Sequence, residues 1–333
     1  MKVGKLPART LGDLLSKITL DDRVIVGPNV GVDAAVIDYG DTLLVAKTDP
    51  ITFATDEIGW YAVNVNANDI AVMGADPKWF LATMLLPPSA SEDSVERIFE
   101  QMLDACKALG VSLVGGHTET TYDLEREIVV GCMLGETPRE RLVKPGGAKP
   151  GHSVILTKGI AIEGTTVLAR EVEPRLSEAD VPEETLRRAR DFIRKPGISV
   201  VAEARAIVSA VKPSAMHDPT EGGLATGLWE LAAASGVGLE VWADRIPVLP
   251  ESRVICDALG LDPLGVIASG SLLFTVAPED EAKALDAVAS VGVDAAVIGR
   301  IVEQEKGLTI LDSAGARALP AFERDEIARI FEA

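Results

Sequence analysis

At 333 residues, 47% of them hydrophobic, the chain has room for two domains with a core in each and is not a disordered one. Its formal charge of −19 argues against nucleic acid and anionic membranes as partners, since both are held by clustered Lys and Arg. So acidic a surface also means that an anionic substrate must be met through a divalent cation. Aromatics are only 4%, so the cores must be built from Ala, Val, Leu and Ile. Cys106, Cys132 and Cys256 stand far apart with no CxxC or Cys/His spacing, which argues against structural zinc and a disulfide framework. With no opening signal-peptide pattern and no apolar run of membrane-spanning length, a cytoplasmic location is the expectation.

Residues 1–23 form a short amphipathic lead, with Leu11, Leu14, Leu15 and Ile18 at helical spacing. Two apolar runs follow, 34–37 and 42–46, joined by Asp38-Tyr39-Gly40-Asp41, which predicts a β-hairpin. Asp33 enters its first strand and Asp49 leaves its second, so antiparallel pairing brings both carboxylates to one end of a sheet. A helix from about Asp56 to Met73 comes next, closed by Gly74. It carries Asn64, Asn66, Asn68 and Asp69 among Ala, Val and Ile. These groups are poor helix formers, and burying them costs free energy unless each finds a partner. A core-type helix with four of them predicts a role beyond packing, as one side of a metal–nucleotide site. Residues 79–86 read as a strand. Ser91 reads as the N-cap of a helix running to Gly110, with Glu92 and Asp93 in its first turn. Residues 111–114 form a strand that runs into Gly115-Gly116-His117-Thr118-Glu119, and 127–134 form another. This order predicts an α+β layer with helices on one face of a mixed sheet.

Residues 137–151, TPRERLVKPGGAKPG, are rich in Pro, Gly and charge and predict a linker between domains of residues 1–136 and 152–333. The second block alternates strands (154–157, 238–242, 271–276, 295–301 and 308–312) with helices near 165–172, 182–194, 198–210, 279–290 and one ending at Ser235. The heptapeptide GVDAAVI occurs at 31–37 and again at 292–298, where Gly292 looks like a cap and Asp294 like a loop residue.

Several groups could carry chemistry. Asp33 and Asp49 flank the hairpin; the plainer reading is that each is a turn former or cap. Asn64 and Asn68 share a helix face, with Asp69 one residue round; the plainer reading is hydrogen bonding between helices or at a dimer interface. The GGHTE segment directly after a strand lets backbone approach a ligand and can form an anion nest, although Gly-Gly there is often only a turn. The glycine-bearing turn after Lys158 lacks both the Walker and the dinucleotide patterns. In His217-Asp218-Pro219-Thr220-Glu221-Gly222-Gly223, Asp218 reads as the N-cap of a helix whose N-terminus attracts phosphate. The chain has three His, none near another, which argues against a His-based metal site. The pattern is oxygen-only, Asp, Asn and Glu at several loop ends, and such ligands suit a hard cation such as Mg²⁺.

In order along the chain, Asp33-Ala34-Ala35-Val36, Thr48-Asp49-Pro50, residues 65–75 (VNANDIAVMGA), GGHTE at 115–119 and MHDPTEGGL at 216–224 resemble the aminoimidazole ribonucleotide synthetase (PurM) superfamily. That superfamily includes HypE, thiamine-monophosphate kinase and selenophosphate synthetase, and the resemblance runs from about 20 to 312. The stretch from MHDPTEGG through LGLDPLGV looks most like the HypE branch. The resemblance implies an α+β N-terminal domain that binds ATP and dimerises through its sheet, and a C-terminal α/β domain packed on it. It implies a homodimer that uses ATP and Mg²⁺ to activate a small-molecule, amide or carboxyl oxygen. The alternative is a non-catalytic nucleotide-binding scaffold with a hydrogenase-maturation protein as partner. By motif, Asp33, Asp49, Asp69 and Asp218 are metal ligands. Asn68, Gly115, Gly116, His117, Thr118, Glu119 and Lys158 join them in the nucleotide-binding set, and the catalytic acid or base is left open among Asp69, Asp218 and His217. The chain departs from the HypE pattern in three places: Ala328-Arg329-Ile330-Phe331-Glu332-Ala333 where HypE ends in cysteine, Ala268-Ser269-Gly270-Ser271 for an Asn-Glu-Gly segment, and Gly31-Val32-Asp33-Ala34 for Gly-Asp-Asp-Ala.

Overall fold

A computed structural model describes residues 6, 8–29, 31–52 and 56–331. Parts of the amphipathic lead (residues 1–5 and Pro7) lie outside the described residues, as do Val30, Phe53, Ala54, Thr55 and the final Glu332 and Ala333. The chain forms two compact units: residues 21–27 with 33–142, and residues 1–20 with 28–32 and 143–333. We call them the N-terminal and C-terminal units. Together they are an α+β protein built on two mixed sheets.

The lead forms helix α1 (Ala8–Leu15). The N-terminal unit then runs β1 (Val24–Val26), β2 (Ala35–Asp38), β3 (Leu43–Ile51), α2 (Ile58–Val72), β4 (Asp76–Leu86), α3 (Glu92–Leu109), β5 (Ser112–Thr120) and β6 (Ile128–Thr137). Its sheet has the order β1-β2-β3-β6-β4-β5. The strands pair antiparallel except β4 with β5, which are parallel and joined by the α3 crossover. Helix α2 packs on β3, β4 and β6, and α3 packs on α2.

Two expectations change here. The second hairpin strand does not end before Asp49 but continues through it to Ile51, because β6 pairs with β3 along its whole length. The GGHTE segment is not a turn after a strand. It is the outer half of β5, an edge strand paired with β4 through Thr120. Glycine is required at Gly116, whose φ is +152° and where a Cβ would lie 1.9 Å from the Ala82 carbonyl oxygen. The caps of α3 are as read from sequence: the Ser91 side chain accepts from the Ser94 N–H, and Gly110 closes the helix at φ +68°.

The C-terminal unit contains β7 (Ser153–Thr157), α4 (Ile162–Glu171), α5 (Glu173–Glu178), α6 (Glu183–Asp191), α7 (Val201–Ala210), β8 (Ala215–His217), α8 (Gly223–Ser235), β9 (Gly238–Trp242), α9 (Pro250–Leu259), β10 (Leu273–Val276), α10 (Glu281–Ser290), β11 (Ala295–Val302), β12 (Leu308–Asp312), β13 (Gly315–Ala318) and α11 (Ala328–Phe331). Its sheet order is β13-β12-β9-β11-β7-β10-β8. The interior strand β7, between β11 and β10, is buried at every position, and the core of the unit is aliphatic, with Leu156, Leu224, Leu239, Leu273 and Ile298 fully buried. The second GVDAAVI copy is structural: Gly292 sits at φ +75° after α10, and the copy leads into β11.

Candidate functional site

Strand β3 alternates strictly. Leu43, Val45 and Ile51 are buried, and on the same pleat between them stand two charged residues, Lys47 and Asp49. An apolar face interrupted this way needs a polar partner across from it, and α2 supplies one. Nearly every residue of α2 is buried, including Asn64, Asn66, Asn68 and Asp69. Asp69 is only 4% exposed. The Lys47 ammonium lies 3.3 Å from Asp69 Oδ2 and 3.5 Å from Asp49 Oδ2, so one carboxylate of the strand and one of the helix converge on a single positive charge.

Asn66 fixes that convergence. Its side-chain N–H₂ donates to the Asp49 carbonyl at 3.2 Å and to the Ala62 carbonyl at 2.8 Å, tying α2 to β3 at the residue that matters. Opposite Asp49 on β6 stands Gly131. A Cβ at Gly131 would come within 2.3 Å of the Asn66 amide nitrogen, so glycine makes the room that the amide occupies. Thr48, on the other pleat, donates to the Gly131 carbonyl at 2.8 Å and holds the two strands in register.

Of the remaining predicted residues in this unit, Asp33 lies two residues before β2. The register sets Ala35 opposite Ala46, so Asp33 sits at the same sheet end as Lys47 and Asp49, as the hairpin implied. The reading of Asn64 and Asn68 as dimer contacts does not hold. Both are buried within their own unit, and Asn64 donates back to the Trp60 carbonyl of its own helix at 2.9 Å. Gly115, Gly116, His117, Thr118 and Glu119 lie along the exposed edge, with His117 Nε2 3.1 Å from Glu119 Oε2. Beside them a groove of about 390 Å³ opens between β4, β5 and α3, walled by Met84, Phe99, Met102 and Val114.

In the C-terminal unit, Lys158 is read from sequence as a nucleotide contact. In the fold its ammonium is committed inward: 2.8 Å to Glu203 Oε1, 2.5 Å to the Ser199 carbonyl and 3.4 Å to the Gly197 carbonyl, both side chains at most 5% exposed. Those three acceptors match the three N–H donors of an ammonium. His217 ends β8, 8% exposed, its Nε2 2.9 Å from Glu230 Oε2. Asp218 follows it and is 1% exposed. Asp218 is not the cap of the next helix. Helix α8 begins at Gly223, and the N–H of Gly222 donates at 2.6 Å to Asp325, from the C-terminal segment.

Asp49 and Asp69 offer carboxylate oxygens, the ligand type that Mg²⁺ takes and that softer metals do not select. The fit rests on an observed cation, the Lys47 ammonium, between the two carboxylates. Lys47 and Gly131 were not singled out in the sequence; Asn66 was, as one of the four polar groups of the helix. The signal for Lys47 was present: it shares Asp49's pleat parity, two residues away.

Residues 31–137 match the AIR synthase related protein, N-terminal domain, and residues 149–311 match its C-terminal domain. A carbamoyl dehydratase HypE of Rhizobium leguminosarum bv. viciae is 30% identical over 316 residues, covering 90% of this chain and 86% of the relative. The chain belongs to the AIR synthase related (PurM) superfamily. Its resemblance there is to HypE, as seen again with HypE of Rhodobacter capsulatus, 30% identical over 289 residues, 84% of this chain and 81% of that one. The superfamily fold recurs in the HypE–HypF complex (TM-score 0.75, 23% identity, 88% of this chain and 94% of that one). It recurs in HypE in complex with ATP (0.73, 24%, 95% and 91%) and in AaThiL complexed with AMPPCP and TMP (0.74, 24%, 96% and 99%).

In this superfamily member the loop that carries His217 and Asp218 ends at the Gly222 N–H held by Asp325. Burial pushes the Asp325 carboxyl up to about 6 from 3.8, against the lowering pull of the backbone N–H groups of Ile327, Gly222 and Ile267. An acid whose folded pKa lies above its unfolded value binds more protons in the fold. The stability it contributes is therefore present at low pH and is lost as pH rises between about 4 and about 6. In Asp325→Asn, stability relative to the parent protein should rise by about 2–3 kcal/mol from pH 4 to pH 7. Urea denaturation across that range checks it, and a constant difference would refute it.

Proposed function

We propose that the chain is an ATP- and Mg²⁺-dependent enzyme of the HypE type, which uses the ATP phosphoryl group to activate an amide, carboxyl or small-molecule oxygen. The observation that carries this is the convergence of Asp49 and Asp69 on one cation position. It occurs in a superfamily whose members include HypE in complex with ATP and AaThiL complexed with AMPPCP. Asp49 and Asp69 would hold Mg²⁺. Bound there, the ion neutralises phosphate oxygens that so acidic a protein would otherwise repel.

The chain's own residues do the rest. Asn66 keeps the strand carboxylate at a fixed offset from the helix carboxylate, and such preorganisation is what orients a bound phosphate. The Asp49 side chain is 36% exposed and that of Asp69 only 6%, so a ligand would approach from the Asp49 side. The edge strand β5 offers His117 and Thr118 side chains to a nucleotide without any rearrangement of the core. His217, held by Glu230, is a candidate proton carrier beside Asp218.

We further propose a homodimer through the N-terminal sheet, and a maturation protein as a second partner, by likeness to the HypE–HypF complex. The exposed edge of β5 supports the first. Val114 is 53% exposed there, and Phe99, which lines the same groove from α3, is 46% exposed.

Titration calorimetry should show Mg·ATP binding to the parent protein. Asp49→Asn and Asp69→Asn should each weaken it at least about tenfold, or about 1.4 kcal/mol. Absence of binding, or unchanged affinity in both variants, would sink the reading. Light scattering should give a dimer for the parent protein and a monomer for Val114→Glu, while an unchanged mass would place the dimer contact elsewhere.

A further inference from the structure

We propose that Lys47 is a built-in counter-cation for this site. Its ammonium holds the place between Asp49 and Asp69 while no divalent ion is bound, and it swings out when one binds. The inference rests on the cation role proposed above for the two carboxylates. It adds that cation binding to the free protein is a displacement, not an entry into open space.

Three observations carry it. First, the ammonium is within 3.5 Å of an oxygen from each carboxylate. A divalent ion bound to those oxygens at about 2.0–2.2 Å would occupy the same ground, and two cations that close repel. Second, the Asp69 side chain is only 6% exposed and sits on a helix buried nearly all round. A carboxylate taken out of water needs a compensating charge, and the Lys47 ammonium 3.3 Å away supplies one. Third, Lys47 is able to leave. Its side chain is 21% exposed at the end of a flexible stem, against 5% for Lys158.

The consequence is selectivity for the loaded nucleotide. A free divalent ion must expel the ammonium for no other return. When phosphates arrive with the ion, the released ammonium gains phosphate oxygens as new acceptors. Lys47 therefore makes cation binding weak alone and strong with nucleotide.

The test is Mn²⁺ binding to the nucleotide-free protein, followed by the loss of the free-ion electron paramagnetic resonance signal. It compares the parent protein with Lys47→Met and with Lys47→Gln, the second retained in case the first does not fold. Both variants should bind Mn²⁺ about fivefold more tightly than the parent, the affinity equivalent of an ion pair at the upper end of the usual range. Their melting temperatures should fall without metal and recover with it. Equal or weaker Mn²⁺ binding in a folded Lys47→Gln, with Mn²⁺·ATP still bound by the parent protein, overturns the displacement role alone. No Mn²⁺ binding by any form, with or without ATP, overturns both this inference and the site reading beneath it.

Discussion

Two carboxylates from different elements meet at one ammonium group, and much of the N-terminal unit is arranged so that they can. Asp69 belongs to a helix with almost no exposed side, and Asp49 to a strand whose pleat otherwise faces the core. Bringing like charges together in such a place is unfavourable unless a cation lies between them. The protein keeps the arrangement by making its neighbours exact in size and hydrogen bonding. Asn66 ties the helix to the strand carbonyl, Gly131 leaves room for that amide, and Thr48 locks the strand pair. A helix chosen for packing alone would have carried Leu or Ala at those positions.

The same logic separates the polar residues of α2 by task. Asn66 positions, Asp69 presents charge, and Asn64 turns back onto the Trp60 carbonyl. In the C-terminal unit, Lys158 shows the contrasting case of a lysine absorbed by the fold. Its ammonium and Glu203 neutralise each other out of solvent. The two lysines differ in exposure, 21% against 5%, although both are paired with carboxylates.

Much of the fold was legible in the sequence because its signals are local. Turn residues at 38–41 gave the hairpin, Ser91 and Gly110 marked both ends of α3, and the apolar runs at 238–242 and 308–312 coincide with β9 and β12. What was not legible depends on partners distant in sequence. β3 runs past Asp49 because β6, some eighty residues later, pairs with it. GGHTE is strand and not turn because β4 lies alongside. Asp218 looked like a helix cap, but that helix starts later and its Gly222 N–H is taken by Asp325, over a hundred residues away. For the candidate site, motif and spacing named the acids Asp33, Asp49, Asp69 and Asp218 as candidates. The intervening lysine was not named, since its meaning appears only when β3 and α2 are packed together.

The most direct measurement is a crystal structure grown with Mn²⁺ and a non-hydrolysable ATP analogue, with anomalous scattering to locate the metal. The account predicts an anomalous peak between the Asp49 and Asp69 carboxylates, at oxygen-ligand distance from both, with Lys47 displaced toward the phosphates. Bound nucleotide with no metal between those carboxylates, and Lys47 still joining them, would contradict it.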